Sequence, residues 1–405
     1  MDRVEAVFME AIRSALRGVQ MTDDPCLSKA EWAALLSLAS EQEILPLVYE
    51  AIMGCKSFSG LDMEFRNAVR ERAVSISARQ IVQTNEFLTL MLHLREKGFM
   101  PAVLKGLAVR RLYPKPALRP SLDEDIIIEP RELRAVHALL IGEGLVPDSE
   151  YDLDDTEDLS YHKPGSPAYI ELHTAFFPGA SAAYGDCGAH FEGAMGRTVE
   201  FREEDVVLRT LEPTDHLLYL MLHAYKHFLH GGMGVRHVCD IGVFAQSTVT
   251  DGARIRTVCD EMGLTRLFAA VFAIGKDLLG MKEYPAFSDI EVDPEPLLED
   301  MLSGGLYGVE DVNRAHSSTL TLEAVASHKK GRRRKGVLHS VFLPKRDLAG
   351  RYPYLKKHGW LLPIAWAQRG ISYLRSRKNN TVSPSESLRI GRERVELLRK
   401  YGIID

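Results

Sequence analysis

The stretch DEDIIIEP, residues 123–130, constrains the fold more than any other segment of the chain. Three successive isoleucines are stiff at χ1 and suit a buried strand, yet this strand opens on three acids. Alternate side chains of a strand face opposite sides, so Asp123 and Asp125 project together while Glu124 points away. An Asp-x-Asp at a strand end also occurs in surface turns. Here it opens a buried, Ile-rich strand, where unpaired charge is costly. Two adjacent carboxylates repel at neutral pH unless a cation neutralises them. Hard oxygen donors suit Mg²⁺ (or Mn²⁺), which keeps water and substrate phosphates in its remaining positions.

Such a pair points to phosphoryl- or nucleotidyl-transfer chemistry, in which a two-ion arrangement needs a third carboxylate. Glu171, in YIELH, is the candidate. His173 lies two residues further and shares its face; it is either a base or nucleotide contact, or a buried hydrogen-bonded histidine. Upstream, FMPAVLKG predicts a strand that ends in a tight turn at Gly106, followed by a short helix, LAVRRLY. Gly106 lets the backbone approach a phosphate, and the helix start favours an anion. Lys105 and Arg119 add positive charge nearby, as phosphate contacts or as salt-bridged side chains. The three prolines of YPKPALRPSL require an irregular loop.

The surrounding pattern divides the chain into a helical region over 1–97, an α/β core over 98–205 and a helical region over 206–405. In the first, EWAALLSLASEQEILPLVYEAI and AVSISARQIVQTNEFLTLMLHLREKG carry apolar residues at three- and four-residue spacing. Ser28 and Glu31 form a capping box, Pro46 is expected to kink or end its helix, and Gly98 closes the last one. In the core, Pro130 opens a helix over PRELRAVHALLIGEG. LSYHKPGSPAYIELH predicts two short strands around a Pro-Gly turn, and FFPGASAAYGDCG a loop of small residues. Helices return from Pro213 onward.

With 405 residues and 45% hydrophobic side chains, the chain has enough apolar material for two or three packed domains. Its net charge of −6 excludes a protein-wide positive field toward nucleic acid or anionic membrane. Five cysteines without a CxxC pair argue against a zinc knuckle or a disulfide framework and suit a reducing cytoplasm. The first residues suggest an amphipathic helix rather than a signal peptide. The most apolar run, LFAAVFAI, is far shorter than the roughly 20 residues of a membrane span. His223, His227 and His230 share one helical face; without a fourth ligand, packing or substrate contact is favoured over zinc. Arg236 and Asp240 have the spacing of an ordinary helix pair. Lys329, Lys330, Arg332, Arg333, Arg334 and Lys335 form a basic run, either a solvated loop or a surface for RNA. The acidic run YDLDDTEDL is expected to be a loop.

The block LKGLAVRRLYPKPALRPSLDEDIII resembles the uncharacterised nucleotidyltransferases of the polymerase-beta-like superfamily, in which a Lys-Gly strand end is followed by a Tyr-Pro loop, an Arg-Pro and an Asp-x-Asp strand. IELHTAFF is similar to that family's later Glu-Leu-His strand. EQEILPLVY, LYLMLHAYKHF, RHVCDIGVF and VFLPKRDLAGRY extend the resemblance from about Ser28 to about Leu374. It implies an α+β fold, a small mixed sheet flanked by N- and C-terminal helical regions. It also implies Mg²⁺ and a nucleoside triphosphate at Asp123, Asp125 and Glu171. The broader superfamily places Gly-Ser after its first strand; this chain has Lys105-Gly106-Leu107, which leaves phosphate contact to Lys105 or to backbone amides. The expected activity is transfer of a nucleoside monophosphate from a triphosphate to a hydroxyl of a protein, an RNA or a small molecule. The alternatives are a non-catalytic nucleotide-binding or interaction module and an RNA-binding helical protein.

Overall fold

The computed structural model describes residues 1–149, 151–153, 156–177, 183, 187–306, 312–329, 348, 352, 354–368 and 384–405. The basic run from Lys330 onward lies outside them, and so does most of VFLPKRDLAGRY. The chain opens with α1 (Arg3–Leu16), α2 (Lys29–Glu41), α3 (Leu45–Ile52), α4 (Lys56–Ser59) and the long α5 (Met63–Glu96). The capping box forms as expected: the Ser28 hydroxyl accepts from Glu31 N and Ser28 N donates to Glu31 Oε2 at 2.7 Å. Pro46, however, opens α3 instead of ending α2. Its missing N–H is harmless in a first turn, where that group has no helical partner.

Seven strands follow: β1 (Ala102–Val103), β2 (Glu124–Ile127), β3 (Val146–Pro147), β4 (Asp158–His162), β5 (Tyr169–His173), β6 (Val199–Glu203) and β7 (Val206–Thr210). Between them lie α6 (Leu107–Arg110) and α7 (Leu133–Gly142). They form one mixed sheet in the order β3-β4-β5-β2-β1-β7-β6, with β2 parallel to β5 and β1 parallel to β7. The sheet therefore runs beyond residue 205: that position falls in the β6–β7 hairpin, and β7 lies directly beside β1. Asp158 and Leu159, at the end of the acidic run, are likewise strand residues. The helices α8 (Pro213–His230), α9 (Val235–Ser247), α10 (Gly252–Met262), α11 (Thr265–Asp277), α12 (Glu295–Gly304), α13 (Val312–Lys329), α14 (Tyr354–Lys357) and α15 (Pro384–Lys400) follow among the described residues.

Period-two alternation assigns each face of the sheet its partners. Val103, Ile126, Ile128, Ile170, Leu172 and Leu208 pack on Phe87, Leu88, Met91 and Leu94 of α5 and on Leu133, Val136 and Leu140 of α7. Ala102, Leu104 and Ile127 join a larger apolar cluster containing residues of α1, α2, α3, α8, α9 and α11. The N- and C-terminal helices thus share one core instead of closing separately.

Glu124, buried on the α5 face, fixes the turn after β1. Its carboxylate accepts from Leu107 N at 2.9 Å and pairs with Arg110 at 2.5 Å. Arg110 also donates to Thr84 Oγ1 of α5 at 2.9 Å. Gly106 has φ +55°, and a Cβ there would lie 2.1 Å from Glu124 Oε2. The glycine is required by the close approach of Glu124, and the first amide of α6 is already taken by that carboxylate. Gly106→Ala combines a left-handed backbone with overpacking, and a loss of about 2–4 kcal/mol of stability is expected from strain and steric costs of this size, measurable by urea denaturation.

Candidate active site

The register of β2 and β5 assembles the site. Asp125 stands opposite Glu171, and Ile127 opposite His173, on neighbouring parallel strands. The carboxylates and the imidazole therefore leave the sheet on the same face. His173 Nε2 lies 3.1 Å from Asp125 Oδ1 and 3.7 Å from Glu171 Oε2. One donor atom from each of Asp125, Glu171 and His173 falls within 4.8 Å of the others. Asp123, one residue ahead of β2, is joined to this group by Lys105, whose Nζ is 3.1 Å from Asp125 Oδ2 and 3.7 Å from Asp123 Oδ2.

Lys105, Asp123, Glu171 and His173 form one wall of a cleft of about 490 Å³, with Asp125 buried behind them. Glu157 and Asp158 extend the acidic wall. The facing wall is α8, whose Tyr219, His223, Lys226, His227 and His230 follow one helical stripe. The rings of His223 and His227 meet edge to face at 4.4 Å, and His227 lies 5.5 Å from His237 of α9. Burial, reinforced by Lys105, holds both His223 and His227 far below the ordinary imidazole range, and burial depresses His237 to about 3. The histidines of this stripe are neutral at physiological pH. They offer polar ring nitrogens without charge.

The acids divide sharply. Burial would raise Asp125, but the Lys105 ammonium and the His173 hydrogen bond outweigh it and hold the carboxyl well below the usual range. For Glu171, burial, then the negative charges of Asp125 and Asp123, outweigh the opposing pull of Lys105 and His173 and push it up to about 7. The group is thus short of positive charge. Mixed carboxylate and imidazole donors at this spacing fit a small divalent cation such as Mg²⁺ or Mn²⁺.

Arg119 and Gly106 do not line the cleft. Arg119 is buried and its Nε donates to Asp240 Oδ1 at 3.0 Å, with Nη2 on the other carboxylate oxygen. Tyr113 adds a hydrogen bond to the same carboxylate at 2.6 Å. Arg236 does not pair with Asp240 along the helix; it bonds Glu43 at 2.7 Å and the Pro120 carbonyl at 3.3 Å. Both α9 residues clamp the proline-rich loop that leads into β2. Sequence reasoning also missed Tyr219, Lys226, Glu157 and Asp158 as cleft residues. The helical spacing that groups His223 with His227 and His230 extends to Tyr219 and Lys226, but no local pattern tells which surface that stripe faces.

A mixed sheet carrying clustered carboxylates and an imidazole beside a cleft is an arrangement that could hold a metal ion. The family model for uncharacterised nucleotidyltransferases matches residues 28–280, more than half of the chain, and the protein belongs to that family. No curated protein and no solved structure matches it. Among the described residues, no helix is long and apolar enough to cross a membrane.

Two outcomes are expected. In the metal-free protein Glu171 should titrate near pH 7 by carboxyl ¹³C NMR, and Asp125→Asn should move its midpoint down by removing a negative neighbour. Since the folded pKa is raised above the ordinary 4.5, the folded state binds more protons between these values, and this group's contribution to stability falls as pH rises from about 4.5 to about 7. Arg119→Ala should lose about 3–5 kcal/mol of stability, as expected when one partner of a buried ion pair is removed. Chemical denaturation reads this loss, whereas a phosphate contact would weaken nucleotide binding at unchanged stability.

Proposed function

We propose that the protein transfers a nucleoside monophosphate from a nucleoside triphosphate to a hydroxyl of an acceptor, with Mg²⁺ or Mn²⁺ held by Asp123, Asp125 and Glu171. The observation that carries this reading is the register of Asp125 with Glu171 on adjacent parallel strands, beside Asp123 and His173. When bound, the cation would neutralise the triphosphate and stabilise charge on the departing pyrophosphate. His173 orients Asp125 through their hydrogen bond. Lys105 supplies positive charge on the same wall, in the position where the superfamily carries Gly-Ser, and serves as a phosphate contact.

The chemistry balances simply. The acceptor oxygen forms a bond to the α-phosphorus, the bond from that phosphorus to the bridging oxygen breaks, and pyrophosphate leaves. The hydroxyl proton passes to a carboxylate of the cluster that faces the cleft, Asp123 or Glu171. The neutral stripe of α8, with Lys226, supports an acceptor bound across the cleft from the carboxylates. Five scattered cysteines without a CxxC pair support a reducing, cytoplasmic setting.

The test is transfer of α-³²P label from ATP, GTP, CTP or UTP to components of a cell extract with Mg²⁺ or Mn²⁺. Loss of a carboxylate ligand removes several kcal/mol of transition-state stabilisation, so Asp125→Asn should lower labelling by about 10²–10³-fold at an unchanged circular dichroism spectrum. No labelling with any of the four triphosphates, or equal labelling by D125N, would overturn the catalytic reading.

A further inference from the structure

The position of Lys105 has a consequence for how a cation enters. Its Nζ sits between Asp125 Oδ2 and Asp123 Oδ2, at 3.1 and 3.7 Å. These are the two carboxylates that sequence alternation pairs on one face, and the ammonium bridges them. Its side chain is only 16% exposed and that of Asp125 only 1%. At such burial the attraction is poorly screened. The lysine is held there by the backbone: Gly106 and Leu107, the next two residues, are locked against Glu124.

The geometry points to Lys105 as a built-in counter-cation that occupies the divalent-ion seat and must be displaced for loading. This rests on the metal-binding reading above. In the ion-free state the ammonium offsets the repulsion between Asp123 and Asp125. A divalent ion entering alone has to break two ion pairs and then sits beside the displaced ammonium, whose like charge opposes it. An ion that arrives with a polyphosphate brings the anion that the released ammonium needs. Lys105 thereby couples the two ligands, so that each tightens the other by the same factor. A metal-phosphate complex is preferred over the bare ion.

The experiment measures Mn²⁺ binding by electron paramagnetic resonance and calorimetry, alone and with an α,β-methylene triphosphate analogue, in the full-length protein. Wild type should bind bare Mn²⁺ weakly and gain on adding the analogue. Lys105→Met and Lys105→Gln, both lacking the ammonium, should bind bare Mn²⁺ about tenfold or more tightly and gain less from the analogue, as loss of a coupling partner requires. Lys105→Arg, which keeps the charge, should behave like wild type. Bare-ion affinity unchanged or weakened in both neutral variants would overturn the inference while leaving the metal site intact. Mn²⁺ binding that Asp125→Asn does not alter would instead overturn the metal reading on which it rests. None of these readouts depends on finding the acceptor.

Discussion

A single buried carboxylate organises the cleft face of the sheet from behind. Glu124 is fully enclosed on the side of the sheet opposite Asp123 and Asp125, where an isolated charge would be strongly disfavoured. It is tolerated because Arg110 and the Leu107 amide both bond it. Burial still pushes its pKa upward, against the pull of Arg110 and the amide. Removing either partner would strand a charge in the core, so the arrangement is held as a unit. It ties β2 to the turn after β1, and that turn delivers Lys105 to the other face of the same strand. The alternation that hides Glu124 is the one that presents Asp125.

A second set of constraints holds the loop between α6 and β2. Asp240 grips Arg119 and Tyr113, Arg236 grips the Pro120 carbonyl, and Gln80 of α5 accepts from Ser121 N at 2.5 Å. Ser121 in turn bonds the Asp123 carbonyl at 2.8 Å. The entry to β2 is thus braced by α5 on one side and α9 on the other. Three prolines limit the backbone conformations of the loop, and buried charges fix which of them is adopted. Positioning Asp123 within reach of Lys105 therefore depends on helices from both ends of the chain, consistent with their shared apolar core.

Much of this was legible locally, and the remainder depends on distant partners. The paired face of Asp123 and Asp125 follows from strand alternation, and the β4–β5 hairpin from its Pro-Gly turn. Attaching Glu171 to that pair required the register between strands some 45 residues apart, which no local spacing encodes. Arg119 shows the same limit from the other side. Its nearness in sequence to the carboxylates suggested a phosphate contact, but its partner Asp240 lies 121 positions away. The β6–β7 hairpin escaped notice for a local reason: its turn places Glu204 at φ +49°, without the glycine or asparagine that signals such a turn. The stripe on α8 was visible as periodicity, while its facing surface was set by tertiary packing.

The electrostatics of the cleft follow from these placements. Three carboxylates converge with one ammonium and one imidazole, so the compensation is incomplete, and the deficit is concentrated on Glu171. Asp125, flanked by Lys105 and His173, remains ionised; Glu171, where burial and the neighbouring carboxylates outweigh those two partners, holds its proton more tightly. Across the cleft, burial keeps His223 and His227 uncharged. Protonated imidazoles there would have neutralised the acidic wall directly and weakened its pull on a cation. The neutral histidines leave the acidic wall to be answered by Lys105, which lies between Asp125 and Asp123.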